Sequence, residues 1–487
     1  MTSEPLADEY DAIVIGSGPN GLAAAIALAR QGARVLVIEG QTTPGGAMRT
    51  EALTLPGFRH DTGSACHPFG ILSPFFRTLP LAQHGLQWLQ SGVSYAHPLD
   101  DQPAVLSVDS VEETAVGLDD RDAAAYVRLV SPFLRDPHAL IKDAMGPLRV
   151  PTDPLRFIRF GLRGLPPATT FARMWFSGPR GQALAAGCAA HSILPLETPL
   201  TSALTLLFLL AAHVEAWPVP AGGAGAITDA LVRYFRSLGG HLKTGQRISD
   251  LNQLPATRVV LFDTSPDQLA QIGRKELPDG YRRRLGRYRY GPGIFKVDWA
   301  LDGPIPWRDP RVNQAATVHV GGSLEDIAHS EREMFHGLHS KQPFVMVVQQ
   351  SELDPSRAPD GQHTGYGYCH VPHGSTVDMT GPIEDQMERF APGFNDRIRA
   401  RHTMNTRDLY ATNPNFVGGA ITGGVADAWQ LFTRPVARLD PYSTPNPRLF
   451  ICSASTPPGG GVHGMGGYYA AQSALKQIER FDAIRFS

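Results

Sequence analysis

Residues 11–40 read DAIVIGSGPNGLAAAIALARQGARVLVIEG, and their order decides the fold. Asp11 to Ile15 is a short run rich in isoleucine and valine, the pattern of a parallel strand buried on both faces. It ends at Gly16, Gly18 and Gly21 in GxGxxG register, and Leu22 to Gln31 continues as an alanine-rich helix. Gly16 permits the tight turn, Gly18 lets backbone approach a pyrophosphate, and Gly21 lets helix pack on strand, with the helix N-terminus facing the anion. Gly32 closes the helix, and Val35 to Ile38 forms a second strand ending at Glu39. An acid about twenty positions beyond the glycines accepts hydrogen bonds from a ribose and repels a 2'-phosphate. The unit reads as a dinucleotide site for FAD or NAD, with NADP disfavoured.

The chain around it has 487 residues, 42% of them hydrophobic, which is too long for one ordinary core, so two or more domains are expected. A formal charge of -2 gives no global attraction to nucleic acid or anionic lipid, and no nucleic-acid partner is expected. Cys66, Cys188, Cys369 and Cys452 are widely separated, with neither CxxC nor paired histidine spacing. That excludes a disulfide framework and a zinc site as readings, so no metal is expected and a reducing cytoplasm is the default. The opening MTSEPLADEY is acidic and lacks the basic and apolar regions of a targeting signal. The most apolar run, Leu200 to Val214, is shorter than the roughly 18 to 20 residues of a spanning helix and predicts a buried one.

Pro44-Gly45-Gly46-Ala47-Met48-Arg49-Thr50 joins a glycine pair to an arginine, which suits close backbone approach and charge neutralisation. It resembles the GGxxRT element of the amine oxidase and phytoene desaturase superfamily of flavoproteins. HDTGSACHPF (60–69), WPVPAGGAGAI (217–227), GGHLKTGQRI (239–248), FKVDWALDGPIPW (295–307), NFVGGAITGG (415–424) and STPPGGGVHGMGG (455–467) follow in family order. The chain is thus similar to the phytoene desaturase-like FAD-dependent oxidoreductases, especially their pyridine nucleotide-disulfide oxidoreductase domain-containing branch.

The resemblance implies an α/β fold: a Rossmann-like FAD-binding domain from residues 8–75, 215–290 and 440–487, and a discontinuous α+β substrate domain from 76–214 and 291–439. It implies FAD held by Gly16, Gly18, Gly21, Glu39, Gly46, Arg49, Gly63, Ile248, Ser455, Gly464 and Met465. Ile248 would end the strand Gly239 to Ile248 beside the adenine, and Ser455 would meet the ribityl chain. No cysteine or histidine motif points to a covalent link, so the FAD is expected to be non-covalent. A second strand-GxGxxG-helix unit is missing, so electrons would leave to oxygen, a quinone or another acceptor.

Two residues are candidates for chemistry. On the strand Ile294 to Leu301, Lys296, Asp298 and Ala300 share one face; the surrounding pattern resembles the amine oxidase strand whose lysine holds a water over the flavin. The alternative is a solvated lysine, or one paired near Asp298. His463, in the late glycine loop, is a donor to flavin or substrate, or else a turn histidine; Met465 replaces the amine oxidase cage aromatic with a softer apolar wall. His67 is a weaker candidate, and Cys66 and Cys452 read as packed small hydrophobes. Arg149 to Arg180 holds six arginines against one acid, Asp153, among apolar residues. It reads as a solvated cap helix or as an interfacial helix at a membrane. Five arginines in 281–290 read as a helix face.

The expected activity is removal of a hydride from a largely apolar small molecule, which makes the expected partner a lipophilic substrate. The alternatives are an amine or amino-acid oxidase, a redox-neutral isomerase, or a prenyl- or lipid-binding escort without catalysis. Nothing in the sequence sets an oligomeric state.

Overall fold

The computed structural model describes residues 9–485; the reading of the first eight residues, and the outermost positions of the segments 8–75 and 440–487, lie outside them. Two sheets organise the chain. The first is parallel, in the order Leu449–Ile451, Ala256–Phe262, Glu9–Ile15, Val35–Ile38, His241–Lys243. Glu9–Ile15 sits in the middle with neighbours on both edges, which is why its apolar run is unbroken. The helix Pro19–Ala29 is buried from Asn20 to Ala29. Its alanines let two other helices, Gly225–Ser237 and Met465–Arg485, come close on one side while the sheet fills the other. The closest approach is at Gly467, where a Cβ would stand 1.8 Å from the carbonyl oxygen of Asn20.

The second sheet has seven strands in the order Ile398–Met404, Gly293–Leu301, His363–Val371, Val345–Val348, Ala315–Val320, Val93–His97, Val105–Val108. All pairs are antiparallel except Ala315–Val320 with Val93–His97. All nine residues of Gly293–Leu301 are buried. Its alternation separates two environments: Phe295, Val297 and Trp299 pack with Ile383, Met387 and Phe390 in one core. Lys296 and Asp298 point the other way. Helices between 111 and 214 pack at the far end of the sheet, on Val93–His97 and Val105–Val108, among them Thr201–Val214, the expected apolar helix. Among the described residues no helix is long and apolar enough to cross a membrane.

One strand is shorter than its sequence. Gly239 to Ile248 reads as continuous, but pairing stops at Lys243 because Gly245 takes φ +71° and gives its N–H to the Gln41 carbonyl. A left-handed residue turns the chain out of the ladder. The N–H of Gln246 then returns to the carbonyl of Glu39, so the turn is what brings Ile248 beside the glycine loop.

Candidate functional site

A cavity of about 820 Å³ runs between the two sheets, from the glycine turn to the apolar helices. At the glycine end, Gly16 takes φ +100°, and a Cβ on it would stand 2.7 Å from the Asp263 carbonyl oxygen. Gly46 at φ +58° lies against the Cα of Gly18, and Gly63 against the Ala47 carbonyl, so three turns stack backbone on backbone. Side chains there would force these turns apart, and their absence lets the turns close up into a cradle. Gly21 lies behind the lining, where a Cβ would stand 2.2 Å from the Gly16 carbonyl, so its role is packing.

Glu39 reaches back under the turn. One carboxylate oxygen accepts from the Ser17 N–H at 2.9 Å and from its hydroxyl at 2.6 Å, and the other accepts from the Gln41 N–H at 2.9 Å. A carboxylate has about four lone-pair sites, so a ribose hydroxyl can still be accepted. Arg49 lines the cavity, with Nη2 on the Thr412 carbonyl at 3.1 Å and an enclosed Nε without a hydrogen-bond partner. Ile248 and Ser455 also line it; the Ser455 hydroxyl lies 2.7 Å from that of Ser453. The cradle, the carboxylate and a guanidinium whose Nε has no hydrogen bond, with the Glu51 carboxylate 3.8 Å away, fit a dinucleotide.

The late glycine loop holds three of the expected residues. His463 lines the cavity, but its Nδ1 accepts the Met465 N–H at 3.1 Å and its Nε2 lies 3.3 Å from the Gly460 carbonyl. Burial pushes its pKa down to about 4, so the ring is a neutral turn element with both nitrogens already engaged. Met465 is 1% exposed and does not line the cavity; its sulfur packs by the Ser73 hydroxyl, so it is no wall of the site. Gly464, at φ +68°, is likewise pressed between Phe76 and Ala23.

Lys296 lies where the cavity passes onto the seven-stranded sheet. It forms an ion pair with Asp298, its side chain 1% exposed, which excludes the solvated reading. Its Nζ stands 4.4 Å from the centroid of the Tyr366 ring. Burial alone would raise the Asp298 carboxyl, but the Lys296 ammonium and the His402 and His60 rings hold it below the ordinary range. Those rings lie 3.7 and 3.8 Å away. Beyond Lys296 the floor follows two cross-strand rows: Lys296, Tyr368 and Met346 line the cavity and lead to the buried His319, and beside them Tyr366, Val348 and Thr317 line it next to the buried Asp298. His67 pairs with Ser64 at 3.0 Å, and burial pushes it down to about 4. Burial pushes the Cys66 thiol up to about 12 and raises the Cys452 thiol well above its ordinary value, so both are inert packing groups.

Two residues escaped the sequence reading. Asp263, at the end of Ala256–Phe262, accepts the Gly21 N–H at 2.9 Å beneath the glycine turn, and burial pushes its carboxyl up to about 7. Arg434 is buried and donates to the carbonyls of Ser455 and Ala454 and to the Tyr288 hydroxyl, fixing the loop that faces the cradle. An acid at the end of an apolar strand was the signal for Asp263; for Arg434 there was none.

Residues 14–79 match the NAD(P)-binding Rossmann-like domain family. Along nearly its whole length the chain is 26% identical to the pyridine nucleotide-disulfide oxidoreductase domain-containing protein 2 of Rattus norvegicus, covering 97% of this chain and 94% of that one. It is 24% identical to the lycopene-forming phytoene desaturase of Pseudescherichia vulneris, with 93% and 96% covered. Among solved structures, an oxidoreductase from Methanosarcina mazei superposes with a TM-score of 0.66 at 15% identity, over 96% of this chain and 99% of that one. The chain is therefore a homologue of oxidoreductases, and its fold is a mixed α/β one with a Rossmann-like unit.

Proposed function

We propose that the chain binds FAD non-covalently in the cradle of Gly16, Gly18, Gly46 and Gly63, and oxidises a largely apolar small molecule held against the seven-stranded sheet. The observation that carries this is the continuity of one cavity from the Glu39 and Arg49 end, past Lys296, to a floor and walls of aromatic and aliphatic side chains. In this reading residues 8–75, 215–290 and 440–487 hold the cofactor, and 76–214 with 291–439 hold the substrate.

Glu39 would take the ribose hydroxyls and Arg49 would face the phosphates. Bound FAD would supply the hydride acceptor. The chain supplies the rest: the sheet positions the substrate, the helices exclude water, and the Lys296 ammonium, ion-paired with Asp298, places its charge at the junction. The electrons then pass to oxygen, a quinone or another acceptor.

The substrate's route is part of the same proposal. On the helix Pro154–Gly164, Phe157 and Phe160 face the cavity while Leu155 and Leu162 stand 81% and 69% exposed on the outer side. Leu148, Phe432 and Leu439 are both large exposed apolar groups and part of the cavity lining, so the cavity opens inside the apolar patch. Ion pairs of Arg149 with Asp143, Arg156 with Asp136 and Asp153, and Arg173 with Glu325 compensate much of the segment's positive charge. The patch would rest on a membrane by apolar insertion and take up substrate there. The protein would work in a reducing compartment such as the cytoplasm, which suits its four free cysteines. The test is direct: the purified protein is yellow and acid releases FAD from it. A colourless protein that refuses added FAD would overturn the reading.

A further inference from the structure

The cavity floor is a ruler. Lys296, Tyr368, Met346 and His319 are paired across four successive strands. With strands spaced about 4.8 Å apart, Lys296 and His319 are separated by about 14 Å.

The far end is polar in a specific sense. His319 is fully buried, and its Nε2 lies 3.1 Å from the Nε2 of His191, a residue of the cavity lining. One of the two nitrogens must donate. The His319 Nδ1 is enclosed, has no partner and faces Gly187, where a Cβ would stand 2.6 Å away. A proton there would be an orphaned donor, so it belongs on Nε2, donating to His191. That bond fixes the tautomer of His191 with its proton on Nδ1, for which no partner exists among the described residues. Burial pushes the His191 ring down to about 3, which keeps it neutral. One more donor stands unpaired at this end, the Trp217 Nε1, whose ring lies 5.5 Å from that of His191, while the Thr317 hydroxyl, two residues from His319, is shared with the Cys66 thiol. Both residues line the cavity and are no more than 3% exposed. The surrounding wall, Phe208 and Met346, is apolar.

We infer that this end of the cavity is an acceptor-recognition subsite. The substrate is an elongated, mostly apolar molecule carrying a neutral carbonyl, ester or ether oxygen, which the Nδ1–H of His191 binds beside His319, whose strand lies three spacings, about 14 Å, from that of Lys296. Two unpaired donors, the His191 Nδ1–H and the Trp217 Nε1–H, select an oxygen with lone pairs over a second donor. A neutral imidazole gives a carboxylate no charge to pair with, so an ionised end is disfavoured. This inference rests on reading the cavity as the substrate site.

Equilibrium binding of dodecane and of dodecan-2-one to the purified protein, read by intrinsic tryptophan fluorescence, tests it. A single neutral hydrogen bond predicts a preference for the ketone of about 3- to 10-fold. His191→Leu should abolish that preference without weakening dodecane binding, and His191→Gln, which keeps an N–H donor, should retain part of it. Equal binding of both probes by the unmodified protein would overturn the inference, as would an undiminished preference in His191→Leu. If that variant does not fold, the comparison on the unmodified protein decides alone. FAD content is measured on the same samples. A yellow protein without the preference sinks the subsite only, and a colourless protein with it sinks the cofactor reading only.

Discussion

Lys296 and Asp298, two residues apart on one strand, form an ion pair in which neither side chain is more than 1% exposed. Removing the ammonium alone leaves a carboxylate stranded out of water, which costs about 3–5 kcal/mol. Lys296→Met should therefore lower Tm, although it keeps the volume of the stem. It should also slow substrate oxidation by about 10² to 10³, the usual effect of losing a preorganised charge. Lys296→Met with Asp298→Leu should recover most of the Tm and none of the rate. Thermal melts and turnover of the three proteins check this; a double variant with restored turnover would remove Lys296 from the chemistry.

Glu39 accepts three hydrogen bonds within the protein, from Ser17 and Gln41. Glu39→Ala should weaken FAD by about 1.5–3 kcal/mol for the lost charge-assisted bonds. The glycine turn it braces should loosen as well. Titration of the apoprotein with FAD gives the first quantity, and amide exchange at Ser17 and Gln41 the second. Unchanged affinity would mean that the dinucleotide lies elsewhere.

Asp263 predicts a pH dependence with a definite sign. Its carboxyl is pushed up to about 7 in the folded protein, so the neutral form is the one the fold prefers. Its contribution to stability is complete below the ordinary carboxylate range and is lost as pH rises through about 7. FAD affinity should fall as the folded carboxyl ionises, around and above pH 7, because an ionised Asp263 would repel the phosphates. Asp263→Asn should flatten the stability curve between about pH 4 and 7 and the FAD-affinity curve around and above pH 7. Parallel slopes in variant and parent would show that another group titrates.

The apolar patch predicts lipid binding that resists salt, since ion pairs already compensate many of the arginines there. Leu155→Glu with Leu162→Glu should reduce co-sedimentation with phosphatidylcholine vesicles by about tenfold or more, the equivalent of 1.4 kcal/mol per decade. Activity on substrate presented in detergent should be preserved. Vesicle binding that vanishes in moderate salt would point instead to an electrostatic contact.

What was legible in the sequence was local. The strand, glycine turn, helix and Glu39 lie within one short stretch, and the alternation around Lys296 was readable from its neighbours. What was hidden depends on chain segments far apart. Asp263 bonds to Gly21 across 242 positions. The row from Lys296 to His319 exists only once four strands are in register. His463 looked reactive because a histidine in a glycine loop invites that reading, yet the loop itself uses both ring nitrogens. The strand expected to reach Ile248 stopped at Lys243 because a left-handed glycine ended its pairing.

The most direct test of the central claim is anaerobic mixing of the purified yellow protein with elongated apolar ketones, esters and ethers, and with amines and amino acids, while flavin absorbance is followed. The account predicts that an apolar oxygen-bearing compound bleaches the flavin, that admitting an electron acceptor restores the colour, and that Lys296→Met slows the bleaching. Bleaching by amines or amino acids alone, with no apolar compound active, would contradict it.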